Sequence, residues 1–186
     1  LKKLLVLAGP AASGKDSVRQ YLLDHYNFIG MISTTNRPPR EVEEERKNYY
    51  FKSKEDFDEM SKNKCFGNEV EFAGRKYALE YKEIEKCETN LVCSILESTG
   101  IQQLKEQGIN IFTILLMPES VQLMQERINL REVDQAEVEC RTALSQHELF
   151  SLFPLANTII VNYRNSKIED LAKQVNDLYL EWYNGN

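Results

Sequence analysis

An α/β fold with a mostly parallel central sheet is what this sequence predicts, and three observations carry the prediction. Short apolar runs recur at residues 4–8, 91–96, 109–116 and 157–161, and each leads into a stretch with helical spacing of apolar residues. The first of these junctions is a glycine loop, GPAASGKDS, at residues 9–17. With 186 residues and 42% hydrophobic content, the chain is long enough to bury one good core, whereas a second full-sized domain would be cramped. Strands alternating with helices build βαβ units, which place ligands at the carboxyl ends of the strands.

Element by element, residues 4–8 are rich in Leu and Val and are stopped by Gly9-Pro10, which marks a buried parallel strand. Val18, Leu22 and Leu23 continue on helical spacing from residue 15 to about 25. The later runs are followed by helical patterns at 100–107, 119–130 and 166–182. Two regions break this rhythm. Residues 33–79 are polar and aromatic, with Pro38-Pro39, an acidic run at 41–45, a short helix at 54–63 and alternating residues over 66–79, the pattern of a small α/β insertion. Residues 127–141 set three arginines around a polar turn, the pattern of a flap between two helices. The expected organisation is one domain: a core of 1–32, 80–126 and 142–186, an insertion of 33–79 and a lid of 127–141.

A formal charge of −6 with no polybasic cluster disfavours bulk nucleic-acid binding but leaves room for a local anion pocket. Cys65, Cys87, Cys93 and Cys140 form no C-x-x-C pair and have no paired histidines, so they are expected as reduced thiols rather than a zinc or redox site. The opening apolar run is too short to span a membrane and runs into the glycine loop rather than a cleavage site, so a cytoplasmic protein without a membrane partner is expected.

In the glycine loop, Gly9, Gly14 and Lys15 match the phosphate-loop pattern G-x-x-x-x-G-K-[ST], while Asp16 stands where a hydroxyl is usual. Strand, loop and helix follow in the order the motif requires. Glycines at both ends let the N–H groups around Ala11, Ala12 and Ser13 converge on a phosphate, Lys15 neutralises its charge, and the helix adds its positive dipole end. Magnesium accepts carboxylate oxygen directly or through water, which makes Asp16 its favoured protein partner. Ser17 is the second choice, since one helical step turns it by about 100°. A role for Asp16 in capping the helix is the competing explanation.

Next, ISTTNRPPR at residues 32–40 mounts Arg37 and Arg40 on a stiff Pro-Pro segment. Guanidinium forks match phosphate oxygens, so these arginines beside a phosphate loop suggest a two-substrate phosphoryl-transfer enzyme. Taken with NYYFKSKEDFDEM, FAGRKYAL, the arginine-bearing flap and TIIVN, the ordered series resembles the guanylate kinase family over almost the whole chain.

That resemblance implies the nucleoside monophosphate kinase fold, with ATP and Mg²⁺ used to phosphorylate GMP or dGMP. By position, Ser33, Arg37, Arg40, Tyr49 and Tyr77 fall where the family binds the acceptor phosphate. Arg127, Arg131 and Arg141 correspond to arginines that close over both phosphates, and Asn162 lies in the loop near the donor adenine. Helix-surface pairing with Glu126, Glu132 or Glu137 is the competing reading for the flap arginines. Three positions depart from the family pattern. Asn68 stands where a glutamate reads the guanine edge, with Glu69 one position later, and Leu79 replaces a small hydroxyl residue. In VCSILESTG, Ile95 and Glu97 replace the aspartates of D-x-D-x-x-G, which leaves Glu97 as an acceptor for the base or for magnesium-bound water. An amide offers both donor and acceptor, so Asn68 suits a different base edge. Two alternatives therefore stand beside a guanylate kinase that acts as monomer or homodimer: a kinase of another phosphorylated acceptor, and a non-catalytic phosphopeptide-binding module.

Overall fold

A computed structural model describes residues 2–39, 43–72, 74–130, 143 and 147–185. The core sheet is parallel throughout and has the order β2-β7-β1-β8-β9. Its strands are β1 (Lys3–Ala8), β2 (Ile29–Gly30), β7 (Val92–Ile95), β8 (Asn110–Pro118) and β9 (Thr158–Asn162). The central strand β1 shows why. Leu4, Val6 and Ala8 enter one apolar cluster while Leu5 and Leu7 enter another on the opposite face. A strand buried on both sides reads as a continuous apolar run, and helices must cover each face.

One face is covered by α1 (Lys15–His25) and by the C-terminal helix Ile168–Gly185, numbered α6 here. Tyr179 of α6 is fully buried, with Phe28, Phe112 and Trp182 around its ring at centroid distances of 5.6, 6.2 and 5.6 Å. The other face takes Ile101 and Leu104 of α4 (Ser98–Glu106), together with Leu152. After β8 comes α5 (Val121–Asn129), capped by Ser120, whose hydroxyl accepts from the Leu123 N–H. Its start and end fall within two residues of the sequence expectation.

A second, mixed sheet has the order β4-β3-β6-β5. It contains β3 (Ser33–Thr35), β4 (Tyr49–Phe51), β5 (Phe66–Phe72) and β6 (Arg75–Glu80); β3 runs parallel to β4 and antiparallel to β6, which also pairs antiparallel with β5. Helix α2 (Lys54–Lys62) starts at a Ser53 cap and anchors on this sheet through Phe57, fully buried against Phe66. The short α3 (Tyr81–Glu85) leads the chain back to the core. Burial pushes the Cys87 and Cys93 thiols up to about 12, which leaves both as unreactive thiols; Cys140 lies outside the described residues. Among the described residues, no helix is long and apolar enough to cross a membrane.

Candidate active site

The glycine loop joins β1 to α1 at the carboxyl end of the core sheet. Gly9, Ala12 and Gly14 all have positive φ, at 139°, 55° and 97°. Two of these positions require glycine for space as well as angle: a Cβ on Gly9 would stand 2.2 Å from the Leu116 carbonyl oxygen, and one on Gly14 would stand 2.6 Å from Asn162 Nδ2. The buried Asn162 amide donates to the Ser13 carbonyl at 2.9 Å, so β9 holds the loop from outside. Lys15 folds back along the loop, its Nζ donating to the Gly9 and Pro10 carbonyls at 2.8 Å each. Gly14 takes the cap position of α1, which places the exposed Asp16 and Ser17 within its first turn rather than at the cap.

Lys15 lines a cavity of about 140 Å³ with Gly9, Ala11, Glu97 and Glu148. Burial raises the Glu97 carboxyl above its ordinary range; its own backbone N–H and the Lys15 ammonium oppose the rise, and Glu148 adds to it. Glu148, which the sequence did not single out, accepts from the Ser98 N–H at 2.7 Å at the start of α4. On the other side of the loop, Ala12, Gly14, Ser17, Arg127 and Asn162 share a cavity of about 280 Å³. The Arg127 guanidinium donates to the carbonyls of Ala12 and Tyr163 at 3.5 and 3.4 Å, whereas Glu126 pairs with Arg164 at 2.8 Å.

Across from the loop, the second sheet gathers an aromatic and cationic cluster. Register pairs Ser33 with Tyr49 and Thr35 with Phe51 and Tyr77, so these side chains share one sheet face. The Tyr49 and Tyr77 rings lie 6.1 Å apart, and the Arg37 guanidinium stacks 5.3 Å from the Tyr49 ring. Arg37 is also held by Glu43, its Nη2 donating to both carboxylate oxygens at 2.8 Å, with the two side chains 14% and 12% exposed. Burial alone would lower the Arg37 pKa, and Glu43 outweighs it. Arg40 lies outside the described residues, as do Arg131 and Arg141.

Tyr49 ties the two halves together. Burial pushes its hydroxyl up to about 12, with Tyr77, Asp16 and Glu97 adding to the rise against Arg37.

The comparisons with known proteins follow the same lines. The family model described as Guanylate kinase matches residues 1–181. The chain belongs to the guanylate kinase family. This member is 31% identical over 179 residues to a guanylate kinase of Prochlorococcus marinus subsp. pastoris, covering 94% of the chain and 95% of that protein. It is 32% identical over 165 residues to one from Onion yellows phytoplasma, covering 86% and 77%. The crystal structure of guanylate kinase from Anaplasma phagocytophilum superposes with a TM-score of 0.73 at 22% identity, covering 97% of this chain and 86% of that one. The fold expectation is met, and with it the placement of this family member among the phosphotransferases.

The departures from the family pattern look different once placed. Asn68 is 5% exposed, its Oδ1 accepting from the Leu79 N–H at 2.8 Å and its Nδ2 packed against Gly100. Glu69 is on the opposite strand face, where it accepts from Ser61 at 2.6 Å and lies 3.8 Å from Lys76. Leu79 is fully buried in the core cluster with Ile84 and Ile101. None of Glu69, Leu79 or Ile95 joins the Arg37–Tyr49–Tyr77 cluster.

Proposed function

We propose that the chain transfers the γ-phosphoryl group of ATP to GMP or dGMP, yielding ADP and GDP or dGDP. The observation that carries this reading is the pairing of a glycine loop that holds Lys15 with a second cationic site, in which the Arg37 guanidinium stacks on Tyr49 beside Tyr77. The loop N–H groups and Lys15 bind the donor phosphates; Arg37, Tyr49, Tyr77 and Ser33, with Arg40, bind the acceptor phosphate. Arg127, with Arg131 and Arg141, neutralises charge between them. Phosphoryl transfer needs positioning and positive charge more than a covalent catalyst, and the acceptor oxygen is already ionised, so no general base is required.

Asp16 and Ser17 are the residues suited to magnesium. Both are hard oxygen donors exposed in the first turn of α1, next to Lys15. Magnesium held there would supply a hard positive charge against the charge of the phosphates. Replacing Asp16 by alanine is expected to raise the magnesium needed for half-maximal turnover by about 10–100-fold. An unchanged titration would assign Asp16 to the helix dipole alone.

The placement of Asn68 favours a second reading, in which the acceptor carries another base. Its carbonyl oxygen is committed to the Leu79 backbone and Leu79 offers no hydroxyl, so the guanine N–H groups lose two candidate partners. A panel of nucleoside monophosphates with ATP and Mg²⁺ decides between the two: clear preference for GMP supports the first, and preference for another base supports the second. Absent turnover, together with absent ATP binding by calorimetry, would favour a binding module instead.

A further inference from the structure

The chain crosses between the two sheets twice, outward at residues 30–33 and back at 80–83. On the outward path Met31 is fastened to the core: its N–H donates to the Cys93 carbonyl at 3.3 Å, and its carbonyl accepts from Arg19 at 2.9 Å. One residue on, the Ile32 N–H donates to Glu83 on α3 at 2.8 Å. The other Glu83 oxygen accepts from the Tyr50 hydroxyl of β4 at 3.1 Å. Lys86 completes the set at 2.5 Å and also reaches the Gly30 carbonyl at 3.5 Å. Glu83 itself is 1% exposed.

A carboxylate this deeply buried is tolerated only where donors compensate for lost water. Here they come from separate parts: the outgoing crossing, a strand of the second sheet, and the neighbourhood of α3. The next residue on α3, Ile84, is seated in the core cluster, so Glu83 is mounted on the core. Two of its three partners, Ile32 and Tyr50, adjoin the acceptor cluster directly. Ile32 precedes Ser33, and Tyr50 follows Tyr49. Because neighbouring strand side chains point to opposite faces, a bond that holds Tyr50 on the back of β4 sets where Tyr49 stands on the front.

We propose that Glu83 is a positioning residue that fixes the second sheet against the core, and so sets the separation between the Arg37–Tyr49–Tyr77 cluster and Lys15. This rests on the reading of that cluster as the acceptor site. Glu83 touches neither substrate; it acts through Ile32 and Tyr50. A general stabilising role would affect both half-sites equally, whereas positioning affects one.

The test compares Glu83→Gln and the milder Tyr50→Phe with the unaltered chain, using steady-state kinetics on ATP and GMP and amide hydrogen exchange without substrates. Loss of hydrogen bonds to a buried charge is expected to raise the KM for GMP about tenfold in Glu83→Gln and less in Tyr50→Phe, with the KM for ATP within about twofold. Exchange should quicken in β3 and β4 while β1 and β8 stay protected. If both KM values move together, or neither moves, or exchange quickens uniformly, Glu83 is a fold stabiliser and the proposal is overturned. An unaltered chain without turnover on GMP would count against the proposed function, and the exchange pattern would then decide the role of Glu83.

Discussion

Replacing Lys15 by alanine is expected to lower kcat with ATP and GMP by about 10²–10³-fold, the usual effect of removing one preorganised charge from a transition state. The geometry explains the size. Lys15 shares its cavity with Glu97 and Glu148, so without the ammonium the donor phosphates would meet two carboxylates and no lysine. Charge on the migrating phosphoryl group grows toward the transition state, hence the loss should fall on kcat more than on the KM for GMP. Steady-state kinetics on protein shown by circular dichroism to be folded would measure it. Near-normal turnover would remove the phosphate loop from the mechanism.

The second large effect belongs to Arg37. Truncation to alanine strips the guanidinium that pairs with Glu43 and stacks on Tyr49, and leaves a largely buried carboxylate behind. Removing a buried cation that pairs with the acceptor phosphate costs about 2–5 kcal/mol, so kcat/KM for the acceptor should fall by roughly 30- to 4,000-fold. The KM for ATP should hardly change. Arg37→Lys is expected to recover only part of the loss, since one ammonium nitrogen cannot replace the planar guanidinium that serves Glu43 and the Pro38 carbonyl from two nitrogens and stacks on Tyr49. Equal damage to both substrates would contradict an acceptor-side role for this residue.

How far the sequence could be read depended on the range of the contacts involved. β1, α1, β8 and α6 were legible because their apolar periodicity is local and their burial follows directly from it. By contrast, β2, β3 and β4 are two or three residues long and held by partners distant in the chain, so no period could announce them. The glycine loop carried its own signal in Gly9, Gly14 and Lys15. Glu43 did not, because nothing within the acidic run at 41–45 marks it as a carboxylate that accepts from Arg37. Glu83 and Glu148 were hidden for the same reason: each is an ordinary helical glutamate until its donors, Ile32 and Ser98, are brought to it by the fold. Asn68 shows the reverse case. Sequence comparison marked it as a base reader, yet its carbonyl oxygen serves the backbone of the neighbouring strand.

The resting position of Lys15 has a consequence for ligand choice. With its ammonium on the Gly9 and Pro10 carbonyls, the loop is its own ligand. An anion that approaches the ammonium competes with two carbonyl oxygens already in place. A carboxylate offers two oxygens sharing one charge; a chain of phosphates offers more oxygens and more charge. On the proposed function, a polyphosphate would therefore compete for Lys15 better than a singly charged anion.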